Sequence, residues 1–229
     1  MHQQYFDFID SLNKQDLSVL DKSISKRHYV PIDLSTDNGA LLTIKTEDSS
    51  EFGLYIDQFL EEKAAKVCYG GYLEQRNIYQ RSAYFKPVKD AAKERNIHLG
   101  LDFWAKAGTA VIAPFNGKVH SFQNNTNYGD YGPTIILAHQ SNDFTFYTLY
   151  GHLSLEYLDQ LEVGQEIAKD QIIGELGRAE VNGDYPPHLH FQVILDLEGS
   201  TGDYSGVCSR NKLDFYRGNC PDPKMLLGL

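Results

Sequence analysis

The sequence predicts a mainly β fold with short helices at its amino-terminal end, and three observations carry that expectation. Among its 229 residues are 15 Tyr, 12 Phe and 19 Gly; aromatic side chains suit strands, and glycine suits the tight turns between them. Two glycine-led segments, Gly108-Thr-Ala-Val-Ile-Ala-Pro-Phe-Asn-Gly117-Lys-Val and Gly164-Gln-Glu-Ile-Ala-Lys-Asp-Gln-Ile-Ile-Gly174, read as strand–turn–strand units of an antiparallel sheet. Three histidine phrases, His98-Leu-Gly-Leu-Asp102, Tyr150-Gly-His152-Leu and Pro187-His188-Leu-His190-Phe191, are each embedded in apolar, strand-like sequence.

From the amino terminus, Gln4 to Ile24 sets Phe8, Ile9, Leu12, Leu17 and Leu20 at helical spacing, with Asp16 as a cap between two short helices. Tyr29 to Ile44 turns extended, and Asp33 to Gly39, rich in Ser, Thr, Asp and Asn, reads as a turn between strands. Glu51 to Val67 reads as a helix with Tyr55, Phe59 and Leu60 on one side and Glu61, Glu62 and Lys63 toward solvent. Gly70-Gly71 closes that region. The division this suggests is an α/β segment over residues 1–65, packing on a β-rich domain over 66–229. Within that domain Tyr128 to Pro133 and Glu180 to Pro187 read as loops flanking the histidines. From Leu197 to Leu229 the chain is rich in Gly, Ser and Asp. Tyr204, Phe215 and Tyr216 predict that this stretch packs back on the domain, with Pro221-Asp-Pro223 ending regular structure before Met225-Leu226-Leu227.

Strand geometry groups the histidines. Residues two apart share a face, so His188 and His190 project together while Leu189, Phe191 and Val193 face the opposite way. Two imidazoles on one face of an apolar strand need partners for their ring nitrogens, and a divalent metal is an efficient partner for neutral imidazole. The spacing of four between His98 and Asp102 fits one face of a helix or of a strand; the intervening Leu-Gly-Leu, followed by Phe103 and Trp104, favours the strand, with Leu99 and Leu101 turned inward. Asp102 alone is a weak signal, because it could equally cap a turn or pair with Arg95. For His2, His28, His120 and His139 a hydrogen-bonded structural role is the default. Arg76, Tyr79 and Arg81 could bind a substrate carboxylate, with an ordinary ion pair the commoner role.

Together the three phrases resemble the lysostaphin-type zinc metallopeptidases, the peptidoglycan endopeptidases of bacteria, over about Ile97 to Leu195. The resemblance rests on His98-x-x-x-Asp102 with Gly100 and Phe103, on His152 in its Tyr-x-His-Leu phrase, and on His188-x-His190. It implies an antiparallel β-sheet domain with a narrow groove over one zinc ion, His98, Asp102 and His190 as ligands, and His152 and His188 as catalytic histidines. Zinc held by two neutral imidazoles and a carboxylate would polarise a peptide carbonyl and lower the pKa of bound water from about 15.7 toward about 7. His188 is then the better candidate for the base and His152 for orienting water or stabilising the oxyanion. The expected substrate is a peptide or muropeptide, including small Gly- or D-amino-acid-containing peptides.

Charge and composition narrow the alternatives. A net charge of −10 argues against nucleic-acid or anionic-membrane partners. The amino terminus lacks a basic start followed by an apolar stretch, and no apolar run reaches the roughly 18 residues of a membrane helix, so the expected location is cytoplasmic. Cys68, Cys208 and Cys220 are sparse and odd in number, as in a reduced chain, with a Cys208–Cys220 bridge the alternative for an exported one. Two other functions compete: a noncatalytic metal- or protein-binding scaffold of the same fold, and a sugar-phosphotransfer carrier using a phosphohistidine. The complete ligand set counts against the first, and Asp102 has no task in the second. Oligomeric state is left open by the sequence.

Overall fold

The computed structural model describes residues 2–12, 17–82, 91–141 and 144–229. In chain order it contains α1 (His2–Asp10), β1 (Tyr29–Pro31), α2 (Ser49–Glu62), β2 (Val67–Gly70), β3 (Arg95–His98), β4 (Leu101–Trp104), β5 (Ala110–Ile112), β6 (Gly117–Asn125), β7 (Gly132–Ser141), β8 (Phe144–Gly151), β9 (Glu166–Ile167), β10 (Ile172–Glu175), β11 (His188–Ile194), β12 (Val207–Ser209), α3 (Leu213–Asn219) and α4 (Pro223–Leu227), with short 3-10 turns between them. The class is mainly β, as the sequence predicts. Eight strands form one sheet in the order β1-β2-β4-β11-β8-β7-β6-β9, and β10-β5 and β12-β3 form two small ones. All of these pairs are antiparallel except β1 with β2.

Alternation along the central strands separates core from site. Leu101 and Phe103 of β4 and Leu189, Phe191 and Val193 of β11 enter the main core with Ile135 and Leu137 of β7. That leaves Asp102, Trp104, His188, His190 and Gln192 on the other face, all nonetheless buried. Over that face lies a second cluster in which Phe52 and Ile56 of α2 meet Ile32, Leu34, Trp104 and Tyr185. Asp48 caps α2 by accepting hydrogen bonds from the Ser50 and Glu51 amides, so the helix starts just before the expected Glu51. It ends at Glu62, with Tyr55, Phe59 and Leu60 half-buried against the same cluster. The expected end at Val67 is overturned, because Val67 begins β2 beside β1 and β4.

The amino-terminal segment departs from the helical expectation after α1. Asp16 lies outside the described residues. Beyond it, the Ile112 amide donates to Val19 O and the Asp21 amide to Ala110 O, and Leu20 bridges Val111. Leu17, Val19 and Leu20 are all buried, so pairing with β5 has replaced a one-sided helical stripe. Asp33 to Gly39 is turn-rich, but a 3-10 helix over Gly39–Thr43 follows it where a strand was expected. At the other end, Pro223 sits in the first turn of α4, where its missing N–H costs nothing, and Asp222 caps the helix from the Lys224 amide. Regular structure therefore resumes at the proline that was expected to end it, and Leu226 and Leu227 enter the main core. The two glycine-led segments form strands, yet they clasp each other instead of closing as separate hairpins: β5 pairs with β10 and β6 with β9. All three cysteines are buried and free. Among the described residues, no helix is long and apolar enough to cross a membrane.

Candidate metal centre

Register brings the site together. On the eight-stranded sheet His190 lies opposite Asp102 of β4 on one side and opposite Gly151 of β8 on the other, and His188 lies opposite Trp104. His98 arrives differently. The phrase His98 to Asp102 is not one continuous strand: β3 ends at His98 in the small sheet with β12, and β4 begins at Leu101 in the large sheet. Leu99 and Leu101 are both fully buried, and Gly100 crosses between sheets directly against the His190 ring. A Cβ there would stand 2.6 Å from the His190 ring and 2.9 Å from Phe191 O.

Nε2 of His98, Nδ1 of His190 and Oδ1 of Asp102 converge: the two nitrogens lie 2.8 Å apart and 3.2 and 3.3 Å from the carboxylate oxygen. The outward atom of each residue is held. His98 Nδ1 lies 3.0 Å from Gly71 O, a carbonyl that can only accept, so that nitrogen carries the proton. His190 Nε2 lies 2.9 Å from Gln192 Oε1, and Gln192 Nε2 donates to Ser205 O, which fixes the amide so that its oxygen faces His190. Arg76 donates to Asp102 Oδ2 at 2.5 Å. In the neutral state two imidazole lone pairs and a carboxylate oxygen thus point at one another with no proton among them, while Oδ1 accepts no hydrogen bond. Such an arrangement asks for a cation. Zinc–ligand bonds of about 2.0–2.1 Å in tetrahedral geometry correspond to ligand separations of roughly 3.3 Å, close to the two distances to Oδ1; the two nitrogens, 2.8 Å apart, would have to part by about half an ångström, and in chemistry the donor set of two imidazoles and a carboxylate fits zinc.

Electrostatics agree with deprotonated ligands. Burial alone would raise the Asp102 carboxyl, but the neighbouring His98 and the Arg76 guanidinium outweigh it and hold the group well below the usual carboxylate range. Burial pushes His98 down to about 4 in spite of Asp102. Neutral imidazole and ionised carboxylate are the forms that bind metal.

His152 and His188 stand beside this cluster with ring centroids 4.2 Å apart. His152 was expected on a strand, but β8 stops at Gly151 and His152 takes a left-handed conformation, φ 65°. For a non-glycine residue that conformation is uncommon and is held here from both sides, by the His152 amide donating to Tyr131 O and the Gly177 amide donating to His152 O. His152 Nδ1 donates to Asn182 O at 2.7 Å and His188 Nδ1 to Pro186 O at 2.8 Å, leaving Nε2 of each as the basic nitrogen. The His188 ring stacks on Trp104, centroids 3.9 Å and planes 17° apart. Burial lowers His188 to about 4 and, with His188 adding to the effect, takes His152 well below its ordinary value.

A cleft opens above these groups. One wall is the amino-terminal segment, through Leu34, Thr36, Leu41 and Thr46; the other includes Tyr131 and Tyr185 from the two flanking loops. Tyr185 ties those loops together by donating to Gly129 O. Of the remaining histidines, His139 is buried between Asn116 O and Thr148 Oγ1, a structural role. Arg95, named as a partner for Asp102, gives way to Arg76, which is buried in an ion pair with Glu74 and Asp102, the commoner of the two roles named for it, and lines the cleft. The Arg81 side chain lies outside the described residues. Gln192, Asn182 and Trp104 were not singled out by sequence reasoning. Only Gln192 had a usable signal, since it is the next same-face position after His188 and His190.

Residues 96–201 match the model of peptidase family M23. Among solved structures, the chain is similar to the catalytic domain of the antimicrobial peptidase lysostaphin from Staphylococcus simulans, 29% identical over 53% of this chain and 80% of that one, TM-score 0.37. The antimicrobial peptidase lysostaphin from the same organism, in a second and longer structure, is 32% identical over 52% of this chain and 44% of its own, TM-score 0.35. A zinc containing peptidase from Vibrio cholerae is 28% identical over 46% and 30%, TM-score 0.36. The chain thus spans less than half the length of the last two. No curated protein sequence matches it.

Proposed function

We propose that the chain, whose residues 96–201 match the model of peptidase family M23, is a zinc-dependent metalloendopeptidase of the lysostaphin type holding one zinc ion through His98, Asp102 and His190. The observation that carries the reading is the trio of bare donor atoms, two lone pairs and an unpartnered carboxylate oxygen, turned toward one point. Zinc, when bound, supplies the Lewis acidity that polarises a scissile carbonyl.

The chain's own groups supply the proton handling. His188, its Nδ1–H fixed on Pro186 O, offers Nε2 to accept a proton from the attacking water and return it to the leaving amine. Trp104 beneath its ring keeps that imidazole from rotating. His152, fixed in the same sense by Asn182 O, orients the water or the developing oxyanion from the neighbouring position. The cleft walls of residues 34–46 and of the Tyr131 and Tyr185 loops hold an extended peptide across these groups and limit solvent.

We assign the substrates to peptidoglycan fragments or small peptides containing Gly or D-amino acids, with residues 1–65 packing on the peptidase domain of residues 66–229. The test is a mass-spectrometric cleavage screen of zinc-loaded protein against muropeptides and oligoglycines, with His188→Ala as control. Cleavage lost in the control is expected, along with about one zinc per chain. A zinc-loaded protein that cleaves none of these peptides would overturn the endopeptidase assignment, and failure to bind zinc after reconstitution would remove the metal reading itself.

A further inference from the structure

Arg76 lies outside residues 96–201 and has no place in the motif phrases, yet its guanidinium touches the proposed metal centre. Three antiparallel backbone contacts put it there. Leu73 N donates to His98 O, His98 N to Glu74 O and Arg76 N to Asn96 O, so residues 73–76 run alongside β3. The side chain then spans two carboxylates, Nε on Glu74 Oε2 at 2.5 Å and Nη1 on Asp102 Oδ2 at 2.5 Å, with only 5% of it exposed. Glu74 spends its second oxygen on the Leu34 amide at 3.0 Å, and Leu34 lines the cleft. One continuous chain of hydrogen bonds therefore runs from the groove wall, through Glu74 and Arg76, to the carboxylate of the metal centre.

Two features separate this from an ordinary ion pair. A buried ion pair alone contributes little net stability after desolvation, so packing does not explain why a guanidinium is set beside a carboxylate aimed at a cation. The geometry also divides the two carboxylate oxygens, because Oδ2 is occupied while Oδ1 faces His98 and His190 with no hydrogen bond. A free carboxylate can ligate through one oxygen or both. With Oδ2 held, only Oδ1 is presented, and a position stays open for water or substrate. Charge points the same way: Glu74, Arg76 and Asp102 sum to one negative charge between neutral imidazoles, which a divalent ion converts to one positive charge.

We propose that Arg76 is a positioning residue of the metal centre: clamped by Glu74, it holds Oδ2 of Asp102 so that the carboxylate offers a single oxygen to the metal, and it links that geometry to the groove wall at Leu34. The proposal rests on the metal reading above and is tested apart from it. Wild-type protein, Arg76→Met and Arg76→Lys are loaded with cobalt(II), their visible absorption recorded, and zinc affinity measured by chelator competition, with circular dichroism as the control for folding. Wild type should give the intense visible bands of four-coordinate cobalt. Arg76→Met should give the weaker bands of higher coordination as Asp102 becomes bidentate, and zinc affinity should fall by about 10- to 100-fold, the usual size of an outer-partner loss. Arg76→Lys keeps the charge and loses the planar fork; it should shift in the same direction by less, and decides the matter alone should Arg76→Met not fold. Wild type that binds neither metal would sink the metal reading, not this one. Wild type that binds both, with a folded variant showing an unchanged spectrum and affinity, would overturn the role of Arg76. Tighter zinc in Arg76→Met would overturn it too, since that is the result expected if the guanidinium only repels the ion.

Discussion

At the level of single side chains, the site histidines differ less in what they are than in which nitrogen is tied to the protein. His98 and His152 are held at Nδ1 by backbone carbonyls, as is His188, whereas His190 is held at Nε2 by Gln192. His190 alone therefore presents Nδ1, and it does so toward Nε2 of His98 and Oδ1 of Asp102. His188, two residues away on the same strand face, presents Nε2 beside that cluster with Trp104 stacked under its ring. The two substitutions at this pair should then separate cleanly. His190→Ala should purify with no zinc after dialysis, because two donors remain where three converge. His188→Ala should keep about one zinc per chain and lose turnover by about 10²–10⁴-fold, the ordinary contribution of a positioned general base. Elemental analysis beside the turnover assay checks both, and metal lost from His188→Ala but retained in His190→Ala would reverse the assignment.

At the level of elements, the decisive feature is the break between β3 and β4. Leu99 is followed by a glycine that lets the chain leave one sheet and enter another within two residues, which is how His98 and Asp102 reach the same point from different sheets. Gly100→Ala should place a methyl group 2.6 Å from the His190 ring. The expected cost is about 1–3 kcal/mol of stability, as for other overpacked sites, together with weaker zinc binding; an unchanged melting temperature and zinc affinity would show that this crossing has slack. The same break marks the limit of what was legible in the sequence. Alternation placed His188 and His190 on one face, and β11 has that pattern because each of its faces meets a different environment. Alternation could not reveal that the spacing of four spans two sheets, nor that His152 turns left-handed after β8, since both depend on backbone contacts with Gly206 and with Tyr131 and Gly177 respectively. Residues 17–20 misled for a related reason: the spacing is helical, but hydrogen bonds to β5 come from about ninety residues further along the chain. Arg76 was legible as a charge and not as a partner of Asp102, because residues 73–76 meet β3 only in the folded chain.

At the level of the whole molecule, so many neutral imidazoles inside one fold make its stability depend on pH. His98, His188 and His139 are each pushed by burial to about 4, and His139 sits on β7 between Asn116 O and Thr148 Oγ1, apart from the metal cluster. A histidine whose folded pKa lies below its unfolded value of about 6.5 binds more protons when unfolded throughout that window. Its contribution is fully present above pH 6.5 and is lost as pH falls toward 4, by on the order of 3 kcal/mol per fully buried group. Thermal melts should accordingly be flat from about pH 7 to 8 and fall steeply between pH 6.5 and 4. Zinc adds a second dependence of the same sign, since metal binding requires deprotonated ligands and protons compete for them. Saturating zinc should raise the melting temperature near pH 7, by an amount equivalent to about 2.7 kcal/mol at a hundredfold excess over the dissociation constant, and should have no effect near pH 4. His139→Gln separates the two origins: it should flatten part of the slope in metal-free protein and leave the zinc-dependent increment at pH 7 intact. A melting temperature that stays constant from pH 7 to 4 in metal-free protein would mean that these imidazoles gain protons in the folded state, and the neutral, lone-pair-to-lone-pair arrangement at the metal centre would have to be abandoned with it.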